Sequence, residues 1–152
     1  MALSDVYKRE VVRIAPETTA RQAAILMRDK HVGTLIVVAT QQGVERPVGI
    51  LTDRDLVTKA LTAREDPGHI DVRSIMSADP ATAREGDDVL ETIRLMEHAK
   101  VRRLPIVSAN GHLVGVVSSD DLYRLLAEEL NSLAHISPRQ ISAERLQQGG
   151  HG

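Results

Sequence analysis

Two short stretches of the chain, "GILTDRDLV" (residues 49–57) and "GVVSSDDLY" (residues 115–123), repeat a Gly, a hydroxyl and an Asp in matching places. In each, Thr52 or Ser118 stands three residues before Asp55 or Asp121. That spacing suits a helix start: the hydroxyl caps the third helical N–H and the carboxylate reaches back, a near relative of the capping box contributing about 1 kcal/mol. A carboxylate in that place repels phosphate but suits a ribose, whose two vicinal hydroxyls can both donate to it. The two roles can coexist. Phosphate groups need cations or free backbone N–H groups. Arg102 and Arg103, just ahead of an apolar run, and Arg54, between two aspartates, are the candidates. Strand alternation sends Arg102 and Arg103 to opposite faces, so one of them is expected in a cleft. The first copy has Gly33 and Thr34 in those places, so its cleft is not equivalent. Asp120 preceding Asp121 puts a further negative charge beside the second.

Other chemistry fits poorly. Asp53, Asp55, Asp120 and Asp121 could be imagined around magnesium or as an acid pair, but no His or third ligand follows at useful spacing. Cysteine is absent, the six His are scattered, and there is no GxGxxG, P-loop or GxSxG. No catalytic residue, metal site or cofactor is expected. With 19 Lys+Arg against 21 Asp+Glu the net charge is −2, which argues against a general nucleic-acid binder. The N-terminus lacks the apolar stretch of a signal peptide and no run reaches membrane-spanning length, so a cytoplasmic protein away from membranes is expected.

The elements that position these residues come in two copies. Met27 in "AAILMRDKHVGTLIVVA" matches Met96 in "TIRLMEHAKVRRLPIVS", 69 positions on, together with Leu26/Leu95, Val32/Val101, Leu35/Leu104 and Val38/Val107. Beyond a gap of three residues, assigned to a loop, Val48/Val114, Gly49/Gly115, Asp55/Asp121 and Leu56/Leu122 coincide at 66. Each copy reads β-α-β-β-α: a short extended stretch ("VVRI", "ATA"), a helix near 18–31 or 87–99, two apolar strands, and a second helix near 53–64 or 119–133. Val89, Ile93 and Met96 predict a buried helical stripe, and both Met27 and Met96 belong to the core. Asn110-Gly111 predicts the hairpin turn. The copies divide at 1–66 and 67–135, with "TAREDPGHIDV" between them and a tail over 136–152 whose end is expected to fray after a turn or two of helix from Pro138. Neither copy alone could bury its sheet; packed face to face, two would do so and leave two clefts.

This pattern resembles a CBS-domain pair, or Bateman module. The residues that carry the resemblance are "VRSIMSADPATA", "VRRLPIVSANGHLVGVVSSDDL" and "VGILTDRDL", and it extends over roughly residues 3–133. It implies an α/β (α+β) fold of two repeats related by a pseudo-two-fold, assembled into a disc-like homodimer. Apolar residues of "DLYRLLAEEL", beyond what one buried face needs, agree with such a dimer. It further implies a non-enzymatic module taking an adenosine-containing ligand (AMP, ADP, ATP or S-adenosylmethionine) between the repeats. Asp55 and Asp121 would hold the ribose. Thr52, Ser118, Arg54, Arg102 and Arg103 would serve hydroxyls or phosphates, and Val12, Ile14, Leu35, Ala81, Ala83 and Ile106 would wall the adenine. A ligand-free interaction module and a detached regulatory subunit of an enzyme or transporter remain the alternatives.

Overall fold

The structure, a computed structural model, describes residues 2–149. Strand β1 (Arg13–Ile14) leads into helix α1 (Ala20–Lys30), then β2 (Thr34–Gln41), β3 (Val44–Thr52) and α2 (Asp53–Asp55), which continues as a π-helical turn over Leu56–Ala60. The second copy follows: β4 (Ser77–Ala78), β5 (Ala83–Arg84), α3 (Val89–Ala99), β6 (Arg103–Val107), β7 (Leu113–Ser118) and α4 (Ser119–Gly149). The strands form two sheets, β1-β2-β3-β4 and β5-β6-β7. In each sheet the short leading strand runs parallel to its neighbour and the hairpin is antiparallel.

Alternation along the strands divides the interior into three. On one side of the first sheet Leu35, Val37 and Leu51 pack against Ala20, Ala23 and Met27 of α1. The second repeat repeats this with Leu104, Ile106 and Val117 against Val89 and Met96 of α3. The opposite faces meet through Ile36, Val38 and Leu113, with Val11, Ile50 and Val116 around them. Face-to-face packing of the two copies follows, as the buried sheet face required. Met27 and Met96 are buried, as their spacing predicts, but the α3 stripe is Val89, Thr92 and Met96; Ile93 is only half-buried. Thr92 is tolerated inside because its hydroxyl donates to the Asp88 carbonyl at 2.9 Å.

The leading segments change places. A 3₁₀ turn at Leu3–Asp5 puts Leu3, Val6 and Tyr7 into the core of the second repeat. The matching turn at Val72–Ser74 puts Val72, Ile75 and Met76 into the core of the first. Their hydrogen bonds match too: the Leu3 N–H donates to the Asp87 carbonyl (3.1 Å) and the Val72 N–H to the Thr18 carbonyl (2.8 Å). β4 is therefore an edge strand of the first repeat's sheet. Core membership crosses the sequence boundary at 66/67 in both directions.

Two expectations are corrected and one holds in a longer form. The three extra residues of the first copy lie in a longer hairpin, with β2 and β3 paired out to Gln41 and Val44 around Gln42 and Gly43, both at positive φ, a type I′ pattern. Asn110-Gly111 does lie in the β6–β7 hairpin turn, as expected, in a five-residue form: the Gly111 N–H donates to the Ser108 carbonyl, and only Gly111 of the pair has positive φ, so the loop closes as a turn followed by a left-handed residue. Finally, α4 does not end near 133 but continues through Pro138 to Gly149. No Gly interrupts residues 119–148, and Ala, Glu, Arg, Leu and Gln over 143–148 are good helix formers. Residues 150–152, the end of the expected frayed tail, lie outside the described residues.

Candidate functional site

Both repeated motifs form capping boxes. The Asp55 N–H donates to Thr52 Oγ1 at 3.2 Å and the Thr52 N–H to Asp55 Oδ2 at 2.9 Å. In the second copy the Asp121 N–H donates to Ser118 Oγ and the Ser118 N–H to Asp121 Oδ2, both at 3.1 Å. Extended strand residues entering a helix leave their first N–H groups without partners, and this hydroxyl–carboxylate pair supplies two.

The second oxygens differ. Asp55 Oδ1 lies 3.3 Å from Lys59 Nζ, one turn along, and that ammonium also donates to the Ile75 carbonyl. Asp121 Oδ1 has Lys8 Nζ at 3.9 Å and Arg124 Nη1 at 3.8 Å, beyond hydrogen-bond range. Lys8 comes from the exchanged leading segment, where its backbone bridges Val116 in both directions at 2.9 Å. Asp121 is thus a buried carboxylate with one oxygen committed to the helix and one facing cations without a hydrogen bond.

Lys8 also lines an inter-repeat cavity of about 280 Å³, with Val12, His31, Thr34, Arg103 and Val116 among others; Asp121 itself is not in its wall. Arg103 Nη1 donates to Thr34 Oγ1 at 3.1 Å. These residues occupy equivalent positions in the two repeats, so their meeting marks the pseudo-two-fold axis. Of the arginine pair, Arg103 enters this cleft. Arg102 lines only a separate groove of about 610 Å³ between α3 and α4, shared with Ser118, Tyr123 and Leu126, and Arg103 reaches that groove as well. Arg54 is exposed within α2, its backbone N–H donating to Asp53 Oδ1. Thr52 is half-buried at its cap.

Among the expected apolar walls, Val12 lines the cavity. Ile14, Leu35, Ala83 and Ile106 are buried in the two helix-side cores, and Ala81 packs partly buried against the second. None of these five lines the cavity, because their side chains fill the helix-side cores instead. Lys8 and His31 are additions that sequence reading did not single out. Lys8 carried no signal of its own, whereas His31 occupies the same left-handed helix-end position as Lys100, both at φ 55°. Among the described residues no three His, Cys, Asp or Glu cluster as a metal site would require, and no helix is long and apolar enough to cross a membrane.

The CBS domain model matches residues 3–61 and 72–128, the two repeats with their leading segments. The chain belongs to the CBS domain family. This CBS pair is 34% identical over 125 residues to an uncharacterized protein of Methanopyrus kandleri, covering 82% of this chain and 62% of that relative, so it spans less than two thirds of it. It is 31% identical over 124 residues to Hypoxic response protein 1 of Mycobacterium tuberculosis, covering 82% and 84%. The solved structure of Hypoxic Response Protein I, which carries two coordinated zinc ions, superposes with a TM-score of 0.71 at 29% identity, covering 82% of this chain and 98% of that one. Two structures share the fold at lower identity. The CBS-pair protein CBSX2 of Arabidopsis thaliana, solved with AMP, gives a TM-score of 0.68 at 24% identity over 84% of this chain and 96% of its own. The CBS domain pair of MJ0100, solved with 5′-methylthioadenosine and S-adenosylmethionine, gives 0.71 at 20% over 85% and 98%.

Proposed function

We propose that this CBS pair is a non-enzymatic regulatory module that binds an adenosine-containing ligand, such as AMP, ADP, ATP or S-adenosylmethionine, between its repeats. The observation that carries the reading is Asp121: a buried carboxylate whose Oδ1 accepts no hydrogen bond and faces Lys8, which lines an inter-repeat cavity with Thr34 and Arg103. A ribose diol suits that oxygen, and the two basic side chains suit phosphate. AMP in one structure of this fold and S-adenosylmethionine in another support the ligand class. Asp55, already held by Lys59, is the weaker acceptor, so the Asp121 cleft is the principal one. A ligand touching both repeats favours one packing angle and presents that state to a regulated partner, by as much as its affinities for the two states differ. The same reading places the protein in the cytoplasm. It makes it a homodimer through helix faces that leave Ile25, Val57, Leu61, Leu90 and Tyr123 exposed.

Calorimetric titration against AMP, ADP, ATP, S-adenosylmethionine and adenosine tests it. Asp121→Ala should weaken adenosine and AMP alike by roughly ten- to a hundredfold, the loss of one or two hydrogen bonds to a charged group. Arg103→Ala should weaken AMP and leave adenosine nearly unchanged. Absence of binding by all five at millimolar concentration overturns the reading. A ligand-free interaction module then stands in its place, because both capping boxes are complete without a ligand. Light scattering that shows only a 16.6 kDa species overturns the dimer.

A further inference from the structure

At the end of the sheets away from the capping boxes, the lengthened hairpin of the first repeat crosses to the β6–β7 loop of the second. The Glu45 N–H donates to His112 Nδ1 at 3.0 Å, and the Arg46 guanidinium lies against Gly111, where any Cβ would collide with Nη1. The positive φ favours glycine there, whereas the Arg46 guanidinium, the end of a flexible side chain, can give way to a Cβ. Arg46 thereby joins Arg84 in lining a depression of about 760 Å³, together with Thr82, Ser108 and Asn110. Five other arginines, Arg13, Arg21, Arg28, Arg73 and Arg124, each have a carboxylate within ion-pair distance. Arg46 and Arg84 have none among the described residues. Asp87 also lines the depression, but its Oδ2 accepts the Arg84 backbone N–H at 2.9 Å. Ser108 Oγ bonds Asn110 Oδ1, so the Asn110 amide nitrogen is not committed. The pseudo-symmetric position of Thr82 is Arg13, and there the guanidinium is neutralised by Glu45 at 2.7 Å. The hollow beside the second repeat's hairpin loop is therefore lined by two guanidiniums, Arg46 of the first repeat and Arg84 of the second, with no carboxylate within ion-pair distance among the described residues.

We propose that this depression binds a small phosphate-type anion through Arg46 and Arg84, one from each repeat. A planar guanidinium offers paired donors matched to phosphate oxygens, and Thr82 and Asn110 add neutral ones. The hollow has little apolar wall beyond Val107 and Ala109, which favours a free or sugar-borne phosphate over a nucleoside. Because its two cations belong to different repeats, occupancy would report the packing between them. The site is independent of the adenosine reading, sharing no residue with it.

The full chain, labelled with nitrogen-15, should be titrated with inorganic phosphate, pyrophosphate and ribose 5-phosphate. Expected are amide shifts at Thr82–Arg84 and Ser108–His112, with Arg46→Ala and Arg84→Ala each weakening affinity about ten- to a hundredfold. Arg46→Lys should recover part of it, and Asp121→Ala should leave it unchanged. Tighter binding of ribose 5-phosphate than of inorganic phosphate would mark the ligand as an ester, and the reverse as a free anion. Both arginines are exposed, so melting curves of the variants should match the wild type. Shifts confined to Lys8–Thr34, no shift with any probe at millimolar concentration, or a double Arg46→Ala/Arg84→Ala variant that titrates like wild type would overturn the proposal.

Discussion

The two capping boxes share one local geometry in two tertiary settings. Asp55 is served by Lys59 of its own helix, whereas Asp121 faces Lys8, delivered from the far end of the chain. At the equivalent place in the first repeat the exchanged segment supplies Ser77, which brings no cation. The neighbouring glycines diverge in the same way. Gly49 is overlaid by the flexible side chain of Met76, and Gly115 by the rigid ring of Tyr7 and the Lys8 carbonyl. Duplication preserved the helix starts, and the exchanged leading segments made them unequal. On the proposed reading, any ligand preference between the clefts would reside in residues 3–8 and 70–78 more than in the repeated motif.

The largest effect should come from the exchanged segment itself. Leu3 is fully buried in the second repeat's core, so Leu3→Ala should cost about 3 kcal/mol in urea denaturation. Hydrogen exchange should rise first in α3 and β6; if α1 and β2 lose protection instead, the exchange of segments is not what unites the cores.

Next in size is a paired glycine test. A Cβ on residue 115 would stand 2.6 Å from the Lys8 carbonyl oxygen, backbone that cannot simply rotate away, so Gly115→Ala should destabilise by about 2–3 kcal/mol. Gly49→Ala, opposed by methionine, should cost about 1 kcal/mol or less. Equal losses on thermal melting would show that the two overlays are equally rigid.

Smaller again is the loss of each cap. Asp55→Ala and Asp121→Ala should each cost about 1 kcal/mol, with Asp121→Ala the larger because it strands the Ser118 N–H beside a more buried site. Both melting temperatures should fall whether or not ligand is present. If Asp55→Ala weakens AMP more than Asp121→Ala does, the ranking of the clefts is reversed.

The smallest effect is one of pH. Burial, then the hydrogen bond to Glu85 at 2.8 Å, raises the Tyr7 hydroxyl above its ordinary value of about 10, and the nearby Arg9 guanidinium opposes this only in part. The unfolded chain ionises first, so this stabilisation is full below pH about 10 and is lost as pH rises through the folded value. Stability should decline between pH about 9 and about 11, less so in Tyr7→Phe. An identical decline in both proteins would remove Tyr7 as the cause.

Much of the fold was legible because it is written in short-range terms. Thr52/Asp55 and Ser118/Asp121 cap their helices within four residues, and the apolar periods around Met27 and Met96 mark the faces that must be buried. The duplication itself announced two sheets needing each other. Leu3, Val6 and Tyr7 were not legible as core, since a single 3₁₀ turn is too short to show a period. Nor was the hairpin extension, because three inserted residues are equally compatible with a loop or with longer strands until Glu45 finds His112.

By itself the sequence determined that there are two β-α-β-β-α units, where their helices begin, and which carboxylate and hydroxyl stand at each beginning. Only the tertiary structure decided which leading segment completes which core, that Arg103 rather than Arg102 enters the cleft, and that Asp121 Oδ1 keeps a lone pair unclaimed. Capping and amphipathicity are settled by residues three or four apart. The environment of a side chain is settled by whichever distant segment buries the most apolar surface against it, and no local spacing encodes that choice.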